Sequence, residues 1–182
     1  MDALIAKVKA MRGSDRNTHV DTRKQYKNIC KFISDAKLSR LVLLDEKEDH
    51  LQMWRNIKSL PDNNNKRALT YIKGVEIDLH NILRIYRLRK YFPKAEVYPH
   101  LIPAFYRLNK YIIKQMVESP GVVELSIIVK YTFYGHVFNT FEEAEVVEEM
   151  QKVFARMEKR YPKSMACVFS YFYSCKMVNN GI

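Results

Sequence analysis

The chain has 182 residues, with 31 Lys+Arg against 20 Asp+Glu and a formal net charge of +11. With 47% hydrophobic and 28% charged residues it is no low-hydrophobicity disordered chain, and its length suits one domain or two small ones. Only 5 Gly and 6 Pro occur, which argues against turn-rich all-β folds and glycine-cradled phosphate sites; three cysteines without a CxxC pair make a poor disulfide framework and a poor zinc site.

Apolar spacing is helical along nearly the whole chain. Residues 2–12 predict a short helix with Ile5, Val8 and Met11 on one side. Residues 20–43 predict a helical stretch with a candidate break at Ser34–Ser39. Residues 47–59 carry Leu51, Trp54 and Ile57 or Lys58 at helical steps. Pro61 to Asn65 reads as a loop, since proline ends a helix and Asn and Asp satisfy local backbone groups. No apolar run approaches the roughly 18 residues of a membrane span, and the N-terminal residues show no secretory signal.

The next helix is expected over 66–91, burying Ile72, Val75, Leu79, Ile82, Leu83 and Tyr86. Lys73, Glu76, His80, Arg84 and Arg87 form a polar stripe elsewhere on it. Glu76 and His80 are one turn apart, so a catalytic acid–base pair is conceivable, with Asp78 as the third group such an enzyme could offer. A solvated or partner-facing stripe is the commoner use of this pattern. Basic residues crowd the interval from Lys66 to Lys114, where the only acidic residues are Glu76, Asp78 and Glu96. Such a surface complements an acidic partner or an anionic membrane leaflet.

Pro93, Pro99 and Pro103 mark a connector over 92–103. A helix is expected over 104–118, with Pro103 in its first turn and Phe105, Leu108, Ile112 and Met116 inward. Ser119 is expected to cap a short helix over 120–131, although the β-branched and aromatic residues of 125–138 would also suit a strand. Thr140 and Glu143 have capping-box spacing before a helix over 141–161. Its glutamates come early and its Lys and Arg late, which suits the helix dipole. Ser164 is expected to cap a last helix carrying Met165, Val168, Phe169 and Phe172.

Tyr71–Ile82 can be laid over Tyr171–Ile182 as a faint internal repeat. The stretches AKVKAMRG (6–13), GVEIDLHNILRIYRLRKYF (74–92), YPHLIP (98–103) and EKRYPKSMACVFSY (158–171) occur in the order seen in a known family. Through them the chain resembles the C-type stalk proteins of bacterial and archaeal V-type/A-type rotary ATPases, a family related to the d-type stalk protein of eukaryotic V-type ATPases. The resemblance implies an all-α fold of multi-helix bundle modules with a pseudo-repeat, shaped as a funnel-like adaptor. It implies a helical region over 1–62 and a helical repeat region over 63–182. Lys176–Ile182 lacks the acidic residues of the family's last repeat, so the chain reads as a shortened or truncated member.

The function implied is non-catalytic. Such an adaptor couples the central shaft to the membrane rotor ring during ATP-driven ion transport or ATP synthesis. Its partners would be the shaft subunits and the ring, its place peripheral at the cytoplasmic face of the membrane, and its cofactors and metals none. Glu76, His80, Arg84 and Arg87 are the candidate partner interface. The alternative is a basic helical nucleic-acid-binding protein, with phosphate contacts and base stacking along Arg84–Phe92; no RNP, KH or zinc-finger pattern accompanies it.

Overall fold

In the computed structural model Asn63 caps the longest helix among the described residues: its side-chain oxygen accepts from the N–H of Lys66 at 3.0 Å. The structure describes residues 50–179 and, in isolation, residue 6; the helices expected over 2–12 and 20–43 lie outside the described residues. Among the described residues six α-helices follow one another: α1 His50–Lys58, α2 Asn64–Tyr91, α3 Lys110–Val117, α4 Val122–Lys130, α5 Glu143–Arg160 and α6 Ala166–Asn179. A short 3-10 turn, Tyr98–His100, interrupts the α2–α3 connector. Among the described residues there is no strand, so the all-α expectation holds and 122–130 is helix.

The described residues fall into two units. One is made of those up to Ile72 together with those from Gln151 onward. Ile57, Leu60, Leu69, Ile72, Phe154, Met157 and Val168 are buried there. Asn65 Oδ1 accepts from the Met165 N–H at 2.8 Å, across a sequence separation of 100, and so fixes the start of the last helical segment. Arg156 donates to the Tyr71 hydroxyl at 2.8 Å, and Phe154 lies against Tyr173. Ser164 Oγ accepts from the Ala166 N–H, as its capping assignment requires. Cys167 is buried.

The other unit is Lys73–Met150. Val75, Leu79, Ile82, Leu83 and Ile85 of α2 are buried with Ile113 and Met116 of α3, Leu125 and Val129 of α4, and Val146 and Met150 of α5. Three local expectations are corrected here. The helix starts at Lys110, not 104, with Asn109 as its cap: Asn109 Oδ1 accepts from Ile112 N–H at 2.8 Å. Ser119 does not cap the following helix; its hydroxyl donates back to the Met116 carbonyl, and Gly121 stands at the cap position. The capping box of Thr140 and Glu143 is not formed. Glu145 instead accepts from the N–H groups of Asn139, Thr140 and Glu142 at 2.8 to 3.1 Å. Burial alone would raise the Glu145 carboxyl, but these bonds together hold it below its ordinary range.

That anchored turn contains Phe141 in the left-handed region at φ 59, a costly conformation for a bulky side chain. Stacking offsets the cost. The Phe141 ring lies 4.1 Å from that of Tyr86 and 5.1 Å from that of Phe138, nearly parallel to both.

Candidate functional site

Within the second unit α2 carries two rows of polar residues. Glu76, His80, Arg84 and Arg87 lie at steps of four, four and three, so the helix places them along one stripe. Glu76 is half-buried and accepts from Lys73 Nζ at 2.8 Å. His80 is half-buried, and burial lowers its imidazole below the ordinary range. Glu76 and Glu143 pull it upward, while Lys73 and Arg84 add to the depression. Arg84 is exposed and donates to the His100 carbonyl at 3.2 Å. Arg87 is exposed and pairs with Glu143 at 3.4 Å. Three members of the stripe are fastened to a neighbour: Glu76 to Lys73, Arg84 to the His100 carbonyl and Arg87 to Glu143.

The second row is Gly74, Asp78 and Asn81, at steps of four and three. Both polar side chains are fully inaccessible to water. Asp78 accepts from three consecutive backbone N–H groups: Tyr106 at 3.0 Å, Arg107 at 2.6 Å and Leu108 at 3.2 Å. It also accepts from the Tyr134 hydroxyl at 2.8 Å. Asn81 bonds Ile102 on both sides, accepting from its N–H at 2.9 Å and donating to its carbonyl at 3.0 Å. Gly74 has no Cβ because the Tyr106 ring occupies that space. These three residues seat the irregular backbone of 101–109 on α2 and supply the hydrogen bonds that a helix would have provided. Arg89 closes the connector's far end, donating to the carbonyls of Pro93, Ala95 and Val117.

The GVEIDLHN and YPHLIP segments, separated by sixteen residues, are therefore two halves of one contact. Asp78 serves the backbone just beyond YPHLIP, at 106–108, and the Tyr134 hydroxyl rather than an acid–base pair. Burial pushes its carboxyl above the usual range, against the pull of its four donors. It faces no solvent, and four groups already engage its oxygens. Reading apolar periodicity alone passes over Asp78 and Asn81. The signal available was their position: Asp78 lies between Val75, Leu79 and Ile82 on the buried face, where a polar residue demands a partner.

Among the described residues no group of three or more His, Cys, Asp and Glu could hold a metal ion. No described helix is long and apolar enough to cross a membrane. In comparisons with known proteins, the family model for the ATP synthase (C/AC39) subunit matches residues 50–177, the interval that holds both rows of α2 and the connector they seat. Neither curated proteins nor solved structures gave a match. By a match that spans most of its length, the chain belongs to the C/AC39 family of V/A-type ATP synthase subunits.

Proposed function

We propose that the protein is a non-catalytic adaptor of a V/A-type rotary ATPase, coupling the central shaft to the membrane rotor ring at the cytoplasmic face. Family membership over residues 50–177 is the observation that carries this reading. The chemistry of α2 is in keeping with it. A protein that transmits torque needs a stiff body, and the buried hydrogen bonds from Asp78 and Asn81 hold an irregular connector in one arrangement. A protein that docks needs an outward polar surface, and the Glu76, His80, Arg84 and Arg87 stripe offers one with its side chains already held. Ordered charges at an interface steer association and fix register more than they add affinity.

Mixing the purified chain with the central-shaft subunits of the same ATPase, followed by size-exclusion chromatography with light scattering at about 0.15 M salt, tests the reading. A stoichiometric complex supports it. Two separate peaks under conditions where the shaft subunits are themselves assembled would sink it.

A further inference from the structure

We infer that Arg107 is a preorganised anchor for an acidic protein segment, on a surface that uses none of the residues of the α2 stripe. Its guanidinium carbon lies 5.2 Å from the Tyr106 ring centroid and 5.1 Å from that of Phe133. Two aromatic rings from separate parts of the chain thus hold one exposed cation. Among the described residues, no carboxylate or carbonyl accepts a hydrogen bond from this guanidinium. Its planar fork of donors is therefore presented outward with its orientation already restricted.

The platform beneath it is rigid for a specific reason. Asp78 holds the backbone N–H groups of Tyr106, Arg107 and Leu108, and the same carboxylate holds the Tyr134 hydroxyl. The Tyr134 ring meets Phe133 edge-on at 5.2 Å. One buried carboxylate therefore fixes both walls of the arginine's seat. An arginine whose guanidinium is already oriented by aromatic rings is the kind of residue that carries binding energy at protein interfaces.

Chemistry selects the partner. A planar guanidinium matches a carboxylate in a bidentate geometry. Phe133 is 47% exposed and Tyr131 87% exposed on the same turn, so an apolar side chain beside that carboxylate would find cover. The basic bias between Arg89 and Lys114, where Glu96 is the only acidic residue, adds long-range attraction for an acidic segment. Single-stranded RNA suits the site less well, because the guanidinium already covers a face of each ring on which a base would stack.

The test is fluorescence anisotropy on the full chain at about 0.15 M salt. The probes are a labelled peptide bearing two adjacent glutamates beside a leucine, its glutamine counterpart, and a labelled single-stranded RNA. Wild type should bind the glutamate peptide about ten-fold more tightly than the glutamine one, and Arg107→Ala should lose about that factor. Arg107→Lys, which keeps the charge but not the planar fork, should lose most of it, and so should Phe133→Leu, which removes one wall. Lys94→Ala, which removes an exposed charge elsewhere, should stay within about two-fold of wild type. Circular dichroism and thermal melts establish that each variant is folded. The inference is overturned if Arg107→Lys binds like wild type, if Lys94→Ala loses as much as Arg107→Ala, if glutamate and glutamine peptides bind alike, or if RNA binds more tightly through Arg107.

Discussion

Along α2 two rows of polar residues run side by side at nearly the same helical spacing. Asp78 and Asn81 are sealed from water and direct their hydrogen bonds at backbone groups 21 to 30 residues further along the chain. Glu76, His80, Arg84 and Arg87 are half-buried or exposed, and Glu76, Arg84 and Arg87 hold a neighbouring side chain or a single carbonyl. The difference is one of consequence. A buried acceptor that serves four donors cannot be removed without stranding them, whereas an exposed pair can exchange its partner for water. The inner row belongs to the fold, and the proposed recognition role falls to the outer row.

The largest expected effect comes from breaking the inner row. Asp78→Ala strands three backbone N–H groups and the Tyr134 hydroxyl, and should cost roughly 3–5 kcal/mol, a large part of a domain's net stability. Urea unfolding followed by circular dichroism measures it; a loss under about 1 kcal/mol would erase the contrast between the rows. Gly74→Ala comes next. The added Cβ meets the Tyr106 ring, and overpacking of this kind costs about 1–3 kcal/mol. The atoms met are the near end of the Tyr106 side chain, which rotation of the ring does not withdraw, and the same urea titration should place this variant between Asp78→Ala and wild type.

These residues also show what could be read from sequence. The long period of Ile72, Val75, Leu79 and Ile82 made α2 legible to within two residues of its start and to its last residue. Residues 104–109 were not legible as loop. Phe105, Leu108, Ile112 and Met116 keep a helical spacing, so the side chains alone argue for helix. The backbone donors of 106–108 are instead taken by Asp78, from another part of the chain, and the helix cannot start until Asn109 supplies a cap. The same holds for the turn before α5. Thr140 and Glu143 have capping-box spacing, yet Glu145, deeper in the first turn, collects the N–H groups of 139, 140 and 142 while Phe141 adopts positive φ to stack on Tyr86. In both places a tertiary contact outcompetes a local signal. The stripe, by contrast, could be laid out from helical geometry alone, though its fastening to Lys73, His100 and Glu143 could not.

A smaller effect separates His80 from its row. Burial lowers its folded-state pKa below 6.5, so the unfolded chain binds a proton more readily than the folded one. Its contribution is fully present above pH 6.5 and is lost as pH falls from there through the folded value. His80→Gln should flatten that part of the stability–pH profile and leave stability above neutrality nearly unchanged. Thermal melts stepped from about pH 8 to about pH 5 check this; an unchanged acid slope would mean that the imidazole is as solvated folded as unfolded.

The smallest expected change in stability, and the sharpest test of the comparison, is charge reversal of the two arginines. The Arg87–Glu143 pair has side chains 47% and 54% exposed, and pairs of that kind contribute about 0–1 kcal/mol. Arg84 donates one bond to a carbonyl that water can reach in its stead. Arg84→Glu with Arg87→Glu should therefore shift the melting temperature by no more than about 2–4 °C, even though the second substitution sets a carboxylate against Glu143. Docking to the shaft subunits should fall under the same conditions, because a register set by positive charge is inverted. A melting temperature lowered as far as by Asp78→Ala would place the arginines with the inner row and leave no separate recognition face on α2. Unchanged melting with unchanged docking would keep the stripe exposed but assign the shaft contact to another surface, of which the one around Arg107 is already specified by its chemistry.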